Sequence, residues 1–177
     1  STVPVNRRPR DTSILVHTLF DSYFKQQFGI SYRSNSLFTT LNPLIAGNYG
    51  RVYAVFPIGN YSLLTSPIIR DLTNNFVYSF SYVLAEMLDT GLLTELTDQE
   101  IDELRHSGTS LFNSLIQDFD YGDGKLTTAF QKFIMNHMIP KLGYFETTQI
   151  TSLNESEGML HCSEYYAIKS VGNLEYL

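Results

Sequence analysis

The chain has 177 residues, enough for one domain with a sizeable core, and with 43% apolar and 17% charged residues it is composed like a folded protein rather than a disordered one. A net charge of −6 excludes a global nucleic-acid footprint, although Arg7, Arg8 and Arg10 cluster near the start, so nucleic acid is not an expected partner. The one cysteine, Cys162, excludes an intrachain disulfide and fits a reducing compartment; no apolar run reaches the length of a membrane span and no secretory signal is visible, so a cytoplasmic protein without a membrane partner is expected.

Residues 2–8 predict a short edge strand, since Pro4 cannot donate to a ladder. Asp11-Thr12-Ser13 offers helix-capping oxygens, and from Ile14 to Phe28 the residues Leu15, Leu19, Phe20, Tyr23, Phe24 and Phe28 recur at helical spacing, with Gly29 as the stop. Residues 30–40 read as extended. Asn42-Pro43 opens a short helix running to Tyr49, and Gly50 ends it. Residues 51–58 predict a strand, Gly59-Asn60 a turn, and residues 61–65 a second extended piece.

Helical spacing then governs residues 67–93, 98–119 and 125–138, with Pro140 closing the last segment. Loop and strand pieces fill residues 142–153, and residues 159–168 predict a terminal hairpin. Strands, a helical insert at about 67–140, then strands again: the order predicts a single α+β domain over 1–177 rather than regular β-α-β alternation.

The most informative stretch is Asn154-Glu155-Ser156-Glu157-Gly158-Met159-Leu160-His161. In an extended chain Glu155 and Glu157 point to one side, at the mouth of the apolar strand that follows. Tyr165-Tyr166-Ala167-Ile168 comes shortly after. Upstream, Phe38-Thr39-Thr40 closes an extended stretch, a short helix containing Ala46 follows, and a strand ends in Phe56-Pro57-Ile58-Gly59. Each piece alone is ordinary: a charged turn, a strand end, a solvated basic arm.

In this order and spacing the pieces resemble the motifs of the mono-ADP-ribosyltransferases, which carry an early arginine, a Ser-Thr-Ser type triplet closing a strand, and a Glu-x-Glu pair before an apolar strand. The resemblance covers residues 3–60 and 142–171. Phe38 departs from it, standing where the family has its first serine. It implies a split β-sheet core with an inserted helical region. It implies an enzyme that cleaves NAD, releases nicotinamide and passes ADP-ribose to a host protein, with arginine as the acceptor. NAD is the substrate, and no metal is called for. Members of this kind serve bacteriophages or bacterial effectors, which would place the protein in a host cytoplasm.

The resemblance also implies roles. Cleaving the nicotinamide–ribose bond builds positive charge on the sugar, which a carboxylate stabilises; that role falls to Glu157. Glu155 would sit beside the incoming guanidino nucleophile. A planar guanidinium would grip the diphosphate or ribose, with Arg8 favoured, then Arg10 and Arg33. Phe38, Thr39 and Thr40 would complete the nucleotide site. Thr39 would orient the carboxylate, and Phe38 or Tyr53 would stack on nicotinamide. Residues 143–148 would form the acceptor-recognition turn, with Tyr144 or Phe145 exposed. Two alternatives stay open: an NAD glycohydrolase with water as acceptor, and a non-catalytic α+β module that binds a host protein through tyrosines.

Other patterns fall short. Asp118 to Gly124 is acidic, but Gly122, Asp123 and Ala129 occupy the loop positions where a calcium hand needs a ligand, a glycine and a glutamate. His17, His106, His137 and His161 lack metal-ligand spacing.

Overall fold

A computed structural model of the chain describes residues 1–8, 14–70, 72, 97–99, 101–102, 131–132, 134–153 and 156–170. Helix and strand mix in it as α+β. Helix α1 spans Ile14–Phe28, as the spacing predicts, and buries Leu15, Val16, Leu19, Phe20 and Phe24 along one stripe. Gly29 ends it at φ +79, a left-handed cap that costs glycine little, and Lys25 Nζ donates to Gly29 O at 2.8 Å. Helix α2 is short, Pro43–Gly47; Asn42 Oδ1 caps it by accepting from the N–H groups of Leu44 and Ile45.

Four antiparallel strands form one sheet in the order β1-β4-β2-β3: β1 Leu37–Thr39, β2 Tyr53–Thr65, β3 Phe145–Thr147 and β4 Gly158–Lys169. Four expectations change here. Gly59-Asn60 is not a turn. It sits in a bulge between Ile58 and Tyr61, where Gly59 at φ +74 lets β2 bend and continue. Residues 159–168 do not form a hairpin. They are one strand that finds its partner along the length of β2, so neither strand needs to fold back on itself. Within 30–40 only Leu37–Thr39 joins the sheet, because Asp21 Oδ1 captures the N–H groups of Arg33 and Ser34 and holds a turn there. The N-terminal edge strand shrinks to a bridge between Thr2 and Glu164.

Pro140 does not close its helix either. A π-helical turn, Ile134–Met138, precedes it, and the helical turn Ile139–Lys141 carries Pro140 near its start, where a missing N–H breaks no bond. The expected helices over 67–93 and 98–119, the first part of 125–138, and the acidic loop at Asp118 to Gly124 lie mostly or wholly outside the described residues.

Strand alternation divides the core. Leu64 and Met159 face α1 and join Phe20, Phe24, Tyr32, Ile134, Met138, Ile139 and Leu142. Leu63, Leu160 and Cys162 face the other way and close over Val3 and Leu153. Phe24 anchors the first cluster edge-on, its ring centroid 4.9 Å from Tyr144 and 6.4 Å from Tyr32. Burial raises the Cys162 thiol above its usual pKa, which keeps it an inert core residue.

Candidate functional site

The site forms where β4 begins. Thr39, Gly158 and Thr65 lie in one row across β1, β4 and β2. Thr65 Oγ1 donates to Glu157 O at 3.1 Å, and Thr39 Oγ1 donates to Gly158 O at 3.1 Å. Glu157 N–H donates to Arg70 O at 2.9 Å. The backbone carrying Glu157 is therefore held from three sides. Gly158 is required by packing: a Cβ there would run into Leu153 Cδ2 and come within 3.1 Å of Leu63 Cδ1. Alternation puts Glu157 on the face of Met159, whose strand partner is Phe38.

Arg33 and Phe38 meet on that face. Arg33 is 4% exposed, and its guanidinium carbon lies 5.3 Å from the centre of the Phe38 ring. The guanidinium of Arg7 lies over the same ring at 4.5 Å. Both distances suit cation–π attraction. Burial lowers the pKa of Arg33 from its usual value, and the charge of Glu157 is the largest influence opposing that drop, followed by Tyr144 and Asp21. Arginine stays charged regardless. Two guanidinium groups, one aromatic ring and one carboxylate thus share the end of the sheet.

Arg33 is also tied down from behind. Its Nε–H donates to His17 Nδ1 at 3.4 Å. His17 Nε2 stands 3.2 Å from Ser34 Oγ, and Ser34 Oγ donates to Asp21 Oδ2. Ser34, His17 and Asp21 have the residue types of a hydrolytic triad but not its wiring. The aspartate takes the serine proton, and the imidazole nitrogen free to accept is already used by Arg33, so no base faces Ser34.

The expected site residues sort as follows. Arg33, Phe38 and Glu157 come together, and Thr39 lies beside them on the other face of the sheet. Thr39 spends its hydroxyl on the Gly158 carbonyl, because its register opposite Gly158 points it away from the carboxylate face. Phe38 carries guanidinium groups over its ring where a stacked nicotinamide was expected. Tyr53 pairs with Lys169 at the far end of β4, on the order of 35 Å from Gly158 at about 3.3 Å per residue, so it cannot stack on anything held by Glu157. Thr40 Oγ1 accepts from Asn42 N–H at 3.1 Å and braces the loop into α2. Arg8 is exposed, while Arg7, from the same basic cluster, is the arginine over Phe38. Arg10 and Glu155 lie outside the described residues. Within 143–148, Phe145 is 40% exposed on edge strand β3, whereas Tyr144 packs into the core.

Sequence reasoning passed over His17, Asp21, Ser34 and Thr65. His17 and Asp21 are one helical turn apart on a predicted helix, so they share a face; that spacing was the available signal. Nothing in the sequence brings Ser34 to them, or Thr65 to Glu157. Ser36 Oγ, fully buried on the face of Phe38, has no hydrogen-bond partner among the described residues. Among the described residues no group of three or more His, Cys, Asp or Glu side chains could hold a metal ion, and no helix is long and apolar enough to cross a membrane.

No family model matches the chain, and comparison with curated proteins and with solved structures finds no match.

Proposed function

We propose that the protein is a mono-ADP-ribosyltransferase of the Arg, hydroxyl-triplet, Glu-x-Glu type, with NAD as substrate and an arginine of a host protein as acceptor. The observation that carries this reading is the convergence of Arg33 and Arg7 on Phe38, on the face from which Glu157 acts on Arg33. The order of the motifs along the chain supports it further, and the strand arrangement is compatible with an ADP-ribosyltransferase-like core.

The residues suit the chemistry. A guanidinium pair offers fork-shaped donors to a diphosphate. The Glu157 carboxylate would stabilise the cation that grows on the ribose as the glycosidic carbon–nitrogen bond breaks and nicotinamide leaves with the electron pair. The acceptor nitrogen then bonds to that carbon and gives up its proton, for which Glu155 is the proposed base. With water as acceptor the same steps give NAD hydrolysis.

A second reading, a non-catalytic module that binds a host protein, is favoured by one observation. Phe56 and Tyr166 are cross-strand partners, 52% and 68% exposed, and Ile168 beside them is 60% exposed. Such a stripe suits a protein contact.

The deciding experiment is release of nicotinamide from NAD by the purified protein, with and without an arginine-rich acceptor, compared with Glu157→Gln. The expected result is turnover in the wild type that drops by orders of magnitude in the variant. Absence of both turnover and NAD binding at millimolar concentration overturns the transferase reading and leaves the binding module.

A further inference from the structure

The hydrogen bonds behind Arg33 admit one proton arrangement. Arginine has donors and no acceptor, so His17 Nδ1 must be unprotonated where Arg33 Nε–H reaches it at 3.4 Å. A neutral imidazole then carries its proton on Nε2, which donates to Ser34 Oγ at 3.2 Å. Ser34, accepting from His17, passes its own proton toward Asp21 Oδ2. Asp21 ties the arrangement to the main chain through its other oxygen, which accepts the backbone N–H groups of Arg33 at 2.8 Å and Ser34 at 3.2 Å. The direction of every bond follows from the first.

From this geometry we infer that His17, with Ser34 and Asp21 behind it, is a positioning residue that holds the Arg33 guanidinium in its ligand-binding orientation and does so only while neutral. The inference rests on the transferase reading for its ligand, the diphosphate of NAD. Protonated His17 would turn a donor toward a donor and set a second cation against Arg33. The groups that act on His17 among the described residues are Arg33 and Arg7, which disfavour its charge, and Asp21, which favours it. Burial is the largest influence and also lowers its pKa, so the neutral form is the resting one at neutral pH. Acidification would release Arg33 and weaken nucleotide binding.

His17→Asn is the informative variant. Its amide oxygen can sit near the place of Nδ1 and accept from Arg33, yet it does not titrate. His17→Leu removes the acceptor. The expected outcome is that wild-type affinity for NAD declines on acidification from about pH 7.5, by less than about tenfold at about pH 5.5 because the His17 pKa lies below 6.5, that His17→Asn keeps the higher affinity across that range, and that His17→Leu binds weakly throughout. Nitrogen-15 spectra supply a readout that needs no ligand: His17 as the Nε2–H tautomer, and a slowly exchanging Arg33 Nε–H, assigned by its loss in Arg33→Lys, that fades on acidification in the wild type but not in His17→Asn. A protected Arg33 Nε–H in a protein that does not bind NAD would overturn the transferase reading and leave the positioning role standing. An Nδ1–H tautomer, or NAD binding with the same pH profile in wild type and His17→Asn, would overturn the inference.

Discussion

Thr39 and Thr65 flank Gly158 in one row of the sheet, and their hydroxyls take consecutive carbonyls at the entry to β4, Thr39 that of Gly158 and Thr65 that of Glu157, each at 3.1 Å. The two neighbouring strands thus fix the backbone from which Glu157 projects. Their hydroxyls act on the position of the carboxylate through the main chain. Thr39→Val and Thr65→Val should each cost about 1 kcal/mol of stability, read from urea unfolding, with fully buried Thr65 the more costly. If Glu157 is the catalytic carboxylate, both variants should lower kcat for nicotinamide release more than they raise KM.

Gly158→Ala tests the same point by packing. The new methyl would meet Leu153 and Leu63 in the second core cluster. Overpacking of this kind costs about 1–3 kcal/mol. The loss should appear as a lower urea midpoint with an unchanged slope, and Leu153→Ala in the same chain should relieve part of it.

Phe38→Leu keeps apolar volume and removes the ring under the guanidinium groups of Arg7 and Arg33. Each cation–π contact is worth about 0.5–2 kcal/mol. In the transferase reading, the loss of even one such contact should raise KM for NAD about two- to thirtyfold while kcat changes little. Nicotinamide stacking on Phe38 would instead lower kcat with KM.

Helices α1 and α2 were legible because apolar spacing and capping chemistry agree: α1 runs Ile14–Phe28, and Asn42 caps α2 through its side chain. The long strands were legible as extended chain but not as partners. Alternation in 53–65 and 158–169 says that each strand has two faces and nothing about where it turns, so a bulge at Gly59 read as a hairpin turn. The site divides the same way. Phe38, Thr39 and Glu157 sit on strand ends that a motif can index. Arg33 reaches them only because Asp21, from the preceding helix, folds residues 31–34 into a turn. That contact is tertiary, and no local pattern encodes it.

Tyr32 gives an alkaline prediction. It is fully buried; its hydroxyl donates to Glu146 and accepts from Ser62 Oγ at 2.7 Å. Burial, with the Glu146 hydrogen bond next, raises its pKa well above the usual 10. A raised folded pKa adds stability below the unfolded value that is lost as pH climbs through the folded one. Wild-type stability should therefore decline relative to Tyr32→Phe as pH rises above about 10, because only the unfolded wild type releases the proton there. At neutral pH, Tyr32→Phe should cost about 1–2 kcal/mol, since it leaves Ser62 and Glu146 without their partner.

His17 gives the acid limb. Burial first, then Arg33, lowers its pKa below the ordinary 6.5, against a smaller upward pull from Asp21. In the unfolded chain His17 takes up a proton near 6.5, and in the folded protein it resists doing so. Between those two values the unfolded state binds more protons, so stability falls as pH drops below about 6.5. The loss from this group approaches about 1.4 kcal/mol per pH unit and stops once the folded protein protonates as well. His17→Asn has no such group. Its urea midpoint should stay level from about pH 7 to about pH 5.5 while that of the wild type declines, and a wild-type curve equally level across that window would show that His17 protonates freely in the fold.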